Sequence, residues 1–182
     1  MIYNMDQTEK EIALVVAKHM IAAARTAPKA SGKDKIVSAI LTDEDLNKLA
    51  DEMDKAGREY NLPFFCRDAE NMRNSHCVVL IGSKLTPFGL EHCGMCGFED
   101  CKTMHKNGGR CVFNITDLGI AVGSAVSIAA DNRIDNRVMY SAGRAAVRLK
   151  LLGDGVEVCY GIPLWTGSKS IFFDRNPGAV LR

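Results

Sequence analysis

Four cysteines lie between residues 93 and 111, in the pattern C-x2-C-x4-C-x9-C formed by Cys93, Cys96, Cys101 and Cys111. Sulfur at this density points to a disulfide pair, a zinc ion or an iron–sulfur cluster. Cys93 and Cys96 are near enough in sequence to share one metal centre, and Gly94 and Gly97 let the backbone wrap closely around it. The amides of such a turn can donate to thiolate or sulfide, with Met95 and Phe98 as candidates to shield the site from water. Zinc also accepts four thiolates, although its usual structural pattern has two C-x2-C knuckles. Here the second pair is separated by nine residues. A disulfide framework fits least, because the chain holds seven cysteines, an odd count, and carries no recognisable export signal. The cluster is the first reading and zinc the alternative. His92 and His105 flank the loop, but four cysteines already complete a ligand set.

The elements that must carry this loop can be read from apolar spacing. Residues 7–24 have the 3.6-residue period of an amphipathic helix, with Ile12, Val15, Val16, Met20 and Ala23 on its apolar face. Residues 35–41 form a short β-branched run, and 43–60 an acidic helix entered through Thr42 or Asp43. Residues 68–75 are expected to form one or two helical turns, and 76–82 a buried strand ending at Gly82. Beyond the cysteine loop, a helix over 115–130 is expected to be capped by Asn114 or Thr116. A second helix, over 136–153, is expected to end at Gly153, and 155–164 to form the last strand. Arg175 is expected to tie down the irregular tail through an ion pair. The order predicts one layered α/β domain over residues 1–182, with residues 92–111 as an inserted loop.

Composition narrows the classes of partner. A net charge of +1, with 47% hydrophobic and 25% charged residues, is ordinary for a soluble globular protein and gives no reason to expect nucleic acid or a membrane. No apolar run is expected to span a bilayer, and the N-terminus does not read as a signal peptide, so a cytoplasmic location is expected. There is no G-x-G-x-x-G or P-loop pattern. Asp131, Arg133, Asp135 and Arg137 read as a helix junction pinned by ion pairs rather than as an anion site. Gly119, Gly123 and Ser124, on one helix face, favour a close packing contact in the core or a dimer. Cys66, Cys77 and Cys159 read as small buried hydrophobes, and His19 and His76 as packed residues.

The cysteine pattern with Gly97 resembles the four-cysteine [4Fe–4S] module of certain anaerobic electron-transfer and corrinoid proteins. Nearly the whole chain, through "RDAENMRNSHCVVLIG", "CGMCGFEDC", "DLGIAVGSAVSIAADNRIDNRVMYSAGRAA" and "GIPLWTGSKSIFFDR", resembles an uncharacterised prokaryotic family of ferredoxin-domain-containing proteins. The order of elements and "AARTAPKASGKD" (23–34) resemble the nitroreductase fold, with Lys29 where a serine is expected and no N-x-Q-P-W after it. These resemblances imply a layered nitroreductase-like α+β sandwich with an inserted cysteine-rich loop, and a homodimer. They imply a [4Fe–4S] cluster held by Cys93, Cys96, Cys101 and Cys111, and FMN with its phosphate near Arg25, Lys29 and Lys33. The implied role is one-electron transfer, alone or feeding a flavin, to a redox partner protein or a small-molecule acceptor. The alternative is a redox-sensing or zinc-stabilised structural module without turnover.

Overall fold

The computed structural model describes residues 2–173, so the tail and Arg175 lie outside the described residues. Helix α1, Met5–Thr26, is capped by Asn4, whose side chain accepts from the Gln7 N–H at 2.8 Å. Its buried stripe is Ala13, Val16, Ala17, Met20 and Ala24, while Ile12, Val15 and His19 face outward. The expectation of a packed His19 is therefore corrected: the helix turns it to solvent. Strand β1 (Ile36–Leu41) and helix α2 (Asp43–Glu59) follow, the latter entered from Thr42.

Helix α3, Pro63–Arg73, is longer than the one or two turns expected, because Pro63 starts it with a φ already suited to a first turn. Strand β2 (Cys77–Lys84) leads into the cysteine loop, where Asp100 caps a short helix α4 (Cys101–Lys106) that the sequence reading missed. Helix α5, Val112–Asp131, begins one turn earlier than expected. Its N-cap is Cys111, not Asn114 or Thr116, and Asn114 is buried. After α5 come strand β3 (Asp135–Asn136), helix α6 (Tyr140–Arg148) and strand β4 (Val156–Trp165).

The helix expected over 136–153 is thus only partly present. Met139 and Gly161 exchange backbone hydrogen bonds of 2.8 and 3.1 Å, which hold the first part extended against β4. The helix stops at Arg148, and Gly153, with φ +81°, sits in the turn beyond. In the 131–137 junction, Asn132 bonds back to the Ile128 carbonyl at 2.8 Å and Arg137 to the Phe172 carbonyl at 3.2 Å. Among the described residues, these side chain–carbonyl bonds hold the junction.

The four strands form one antiparallel sheet in the order β1-β2-β4-β3. Because side chains alternate along β2, Cys77, Val79 and Ile81 enter the core shared with α1 and α5, while Val78 and Leu80 enter the core shared with α2 and α6. Burial on both faces explains why β2 reads as a continuous apolar run. The result is the layered α+β sandwich expected. Helix α5 corrects one expectation: at 20 residues and mean hydropathy 1.6 it is long and apolar enough, by length and composition, to cross a membrane. Here Leu118, Ala121, Ala125 and Ala129 are packed into the core beside α1.

Candidate functional site

The cysteine loop is anchored before its first cysteine. Phe88 is buried, and the Lys35 ammonium lies 3.9 Å from its ring centroid. Lys35 donates to the Thr86 carbonyl and, at 3.3 Å, to that of Pro87. Asn114 Nδ2 donates to the same Thr86 carbonyl at 3.0 Å. Desolvation lowers the pKa of Lys35, and the neighbouring Cys111 opposes that shift. One cation and one amide thus tie residues 86–88 to the starts of β1 and α5.

The loop then turns at Gly94 and Gly97, with φ of +58° and +83°, and Gly97 N–H donates to Gly94 O at 2.9 Å. These left-handed conformations are the reason for glycine, since a Cβ at either position would meet nothing within 4 Å. Asp100 accepts from the Thr103 N–H at 2.6 Å, and that bond holds its carboxyl below the ordinary range. The cap fixes Cys101 at the start of α4, and Met104 anchors the helix inward.

All four cysteines line one cavity of about 330 Å³, measured with its mouth, together with Leu90, Phe98, Met104 and Val112. Phe98 is half-buried there, whereas Met95 is 64% exposed, so the expected shielding comes from Phe98 alone of the two. His92 and His105 are exposed. Among the described residues, no three His, Cys, Asp or Glu side chains are grouped to hold a single metal ion. One tetrahedral zinc with Zn–S near 2.3 Å requires sulfurs roughly 3.8 Å apart. A cluster takes its thiolates on separate irons, so its ligands can stand farther apart around one cavity. Four thiols on one cavity form a donor set that either a cluster or a zinc ion accepts.

The segment expected to meet flavin phosphate is placed differently residue by residue. Arg25 pairs with Asp34 at 2.5 Å. The Lys29 ammonium donates to the carbonyls of Ala24, Arg25 and Ala27 at 2.6, 2.8 and 2.6 Å, closing the C-terminus of α1. Lys33 is exposed. The structure brings their segment to the cysteine loop: Ala30 packs against the cluster formed by Phe88, Met104 and Cys111. Both carboxylate oxygens of buried Asp117 accept from the Ala30 N–H at 3.1 Å. Asn114 and Asp117, which hold this junction, were missed from sequence, although two polar residues near the start of an apolar helix were a visible signal.

The remaining thiols are elsewhere. Cys66 lies between α2 and α3, with its thiol 3.9 Å from the Asp54 carbonyl. Cys77 and Cys159 are buried on opposite sheet faces, and burial pushes both thiols up to about 12. In the unfolded chain they ionise near 9, so folding holds protons that the unfolded state releases. Stability from these two groups is complete below pH 9 and is lost as pH rises toward 12. The expected slope is about 3 kcal/mol per pH unit for the pair. Urea titrations across that window check it: Cys77→Ala/Cys159→Ala should flatten the fall, and an unchanged slope would overturn it.

The fold is the nitroreductase fold. An oxidoreductase containing FMN has a TM-score of 0.58 at 16% identity, over 85% of this chain and 67% of its own. An FMN-dependent nitroreductase from Clostridium difficile R20291 has a TM-score of 0.54 at 14% identity, over 86% of this chain and 77% of its own. At these identities the likeness is one of fold. An uncharacterised protein of Archaeoglobus fulgidus is 37% identical over 97% of this chain and 99% of its own length. The family model "Uncharacterized protein containing a ferredoxin domain (DUF2148)" matches residues 107–175. The chain belongs to this family. The matched span includes Cys111 and excludes the other three cysteines of the loop.

Proposed function

We propose that this is an electron-transfer protein whose Cys93, Cys96, Cys101 and Cys111 hold a [4Fe–4S] cluster. The observation that carries the reading is the convergence of all four thiols on one small, largely apolar cavity. When bound, such a cluster supplies one-electron transfer at a potential set by burial and by hydrogen bonds to its sulfurs. The chain contributes the thiolates, the Phe98 and Met104 walls that exclude water, and the Lys35 charge beside the site. The family's ferredoxin description and the flavin-oxidoreductase fold support the same class of chemistry. Flavin coupling is supported by the contact between the 23–34 segment and the loop. Lys29 is engaged by carbonyls of its own chain, whereas Arg25, paired with Asp34, and Lys33 are exposed. A redox protein or small molecule is the acceptor, and residues 92–111 act as an insert within one domain in the cytoplasm.

Anaerobic purification followed by iron, sulfide, zinc and flavin analysis tests this. About four irons and matching sulfide per chain are expected, with a broad brown absorbance. One zinc without sulfide would sink the reading and leave a structural module.

We also propose a homodimer through α5. A Cβ at Gly119 or Gly123 would meet nothing within 4 Å, so among the described residues no neighbour requires either glycine. Each costs a helix interior about 1 kcal/mol relative to alanine. Exposed Ile115 and Ile120 on the same helix, and Ile12 and Val15 on α1, add apolar surface. A second copy of the helix would use all of these features. Ile120→Arg should convert the dimer to monomer by sedimentation, and a wild-type chain that stays monomeric at high concentration would refute it.

A further inference from the structure

We propose that the cleft between α6 and the outer edge of β4 binds a small conjugated carboxylate. The cleft measures about 580 Å³ with its mouth and is lined by Tyr140, Arg144 and Val147 of α6, Glu157 and Val158 of β4, and Arg110. The space open to a ligand is about 240 Å³, just below the roughly 300–1,000 Å³ of drug-sized sites, so it suits a small ligand. It exists because β3 pairs with β4 only at Leu164 and Trp165, leaving residues 157–160 without a strand neighbour on that side among the described residues.

Arg144 is the feature that asks for a ligand. It is half-buried, yet among the described residues no carboxylate or carbonyl meets its guanidinium. The other half-buried arginines are all engaged: Arg67 with Asp68, Arg73 with Asp51 and Asp54, Arg148 with Glu52 and Glu59, and Arg137 with the Phe172 carbonyl. A guanidinium in a cleft with no carboxylate of its own is available to an incoming anion. Among the described residues, Arg110 pairs with Glu157 at 3.3 Å, with both side chains more than half exposed. Such a pair is weak and exchanges readily, and it neutralises the one carboxylate that would repel an incoming anion.

The rest of the lining sets the ligand's shape. Tyr140 stands edge-on to Phe65, with ring centroids 6.0 Å apart and planes at 85°, which fixes an exposed ring one helical turn from Arg144. Val147 and Val158 add apolar surface. A guanidinium matches a carboxylate bidentately, and a flat conjugated body can lie along the tyrosine. Arg110 directly precedes Cys111, so the ligand would sit beside the thiol site. Its use as an electron acceptor rests on the function proposed above, whereas its binding does not.

Titration of benzoate and of inorganic phosphate into cluster-free full-length protein, followed by NMR, tests the site. Saturable benzoate binding is expected, weakened roughly tenfold or more in Arg144→Gln, the loss of one charge-assisted contact. The exposed Arg58→Gln should leave it unchanged, and matching melting curves would establish that each variant is folded. Absence of saturable benzoate binding, equal affinity in Arg144→Gln, or a preference for phosphate would overturn the proposal. Benzoate binding by a protein that proves to hold no iron would sink only the electron-transfer reading.

Discussion

Alanine at Cys93, Cys96, Cys101 or Cys111, one at a time, is expected to reduce bound iron from about four per chain to less than one. Alanine at Cys66, Cys77 or Cys159 should leave it unchanged. The division follows from position rather than from thiol chemistry alone. The first four side chains line one cavity although they are spread from the loop to the cap of α5. The other three are held between α2 and α3 or on the two sheet faces. None of them lines that cavity, so none can replace a missing ligand without moving a core element. Iron analysis on anaerobically prepared variants, with visible spectra, measures the effect. Retention of full iron in Cys111→Ala would be the most damaging result, because Cys111 joins the loop to α5.

What could be read from the sequence was what local pattern encodes. Strand β2 and helix α2 were legible because burial on two faces and an acidic first turn leave direct marks on residue order. The four cysteines of the shared cavity stood out because their chemistry is rare and their spacing short. The hidden parts depend on contacts between distant residues. Helix α4 is a single capped turn, too short to show periodicity, and the extended entry to α6 is imposed by Gly161 across the sheet. Lys29 looked like a candidate for phosphate, yet three carbonyls at the end of α1 claim its ammonium. Asp117 reaches Ala30, a backbone partner 87 positions earlier. No window of local sequence contains that bond.

Gly143→Ala is expected to be the most destabilising of the small substitutions in α6. A Cβ at this position would fall 1.7 Å from the Cys159 carbonyl oxygen and 2.4 Å from its carbon, and both are backbone atoms that cannot rotate away. In an isolated helix the same change would gain about 1 kcal/mol, so the sign of the effect reports the close approach of α6 to β4. Relief requires the two elements to separate. That movement would strain the Met139–Gly161 bridge and open the core around Ala142, Ala145 and Ala146. A net loss of about 3 kcal/mol is expected, or a fall in Tm of roughly 6–12 °C for a chain of this size. Thermal and urea unfolding measure it, and a change under 1 kcal/mol would mean that α6 and β4 are not so closely apposed. The apolar side of the cysteine loop packs against Ala30 and Phe113 of α5. Variant protein that still folds should therefore keep its iron, while benzoate binding weakens because Tyr140 and Arg144 ride on the displaced helix.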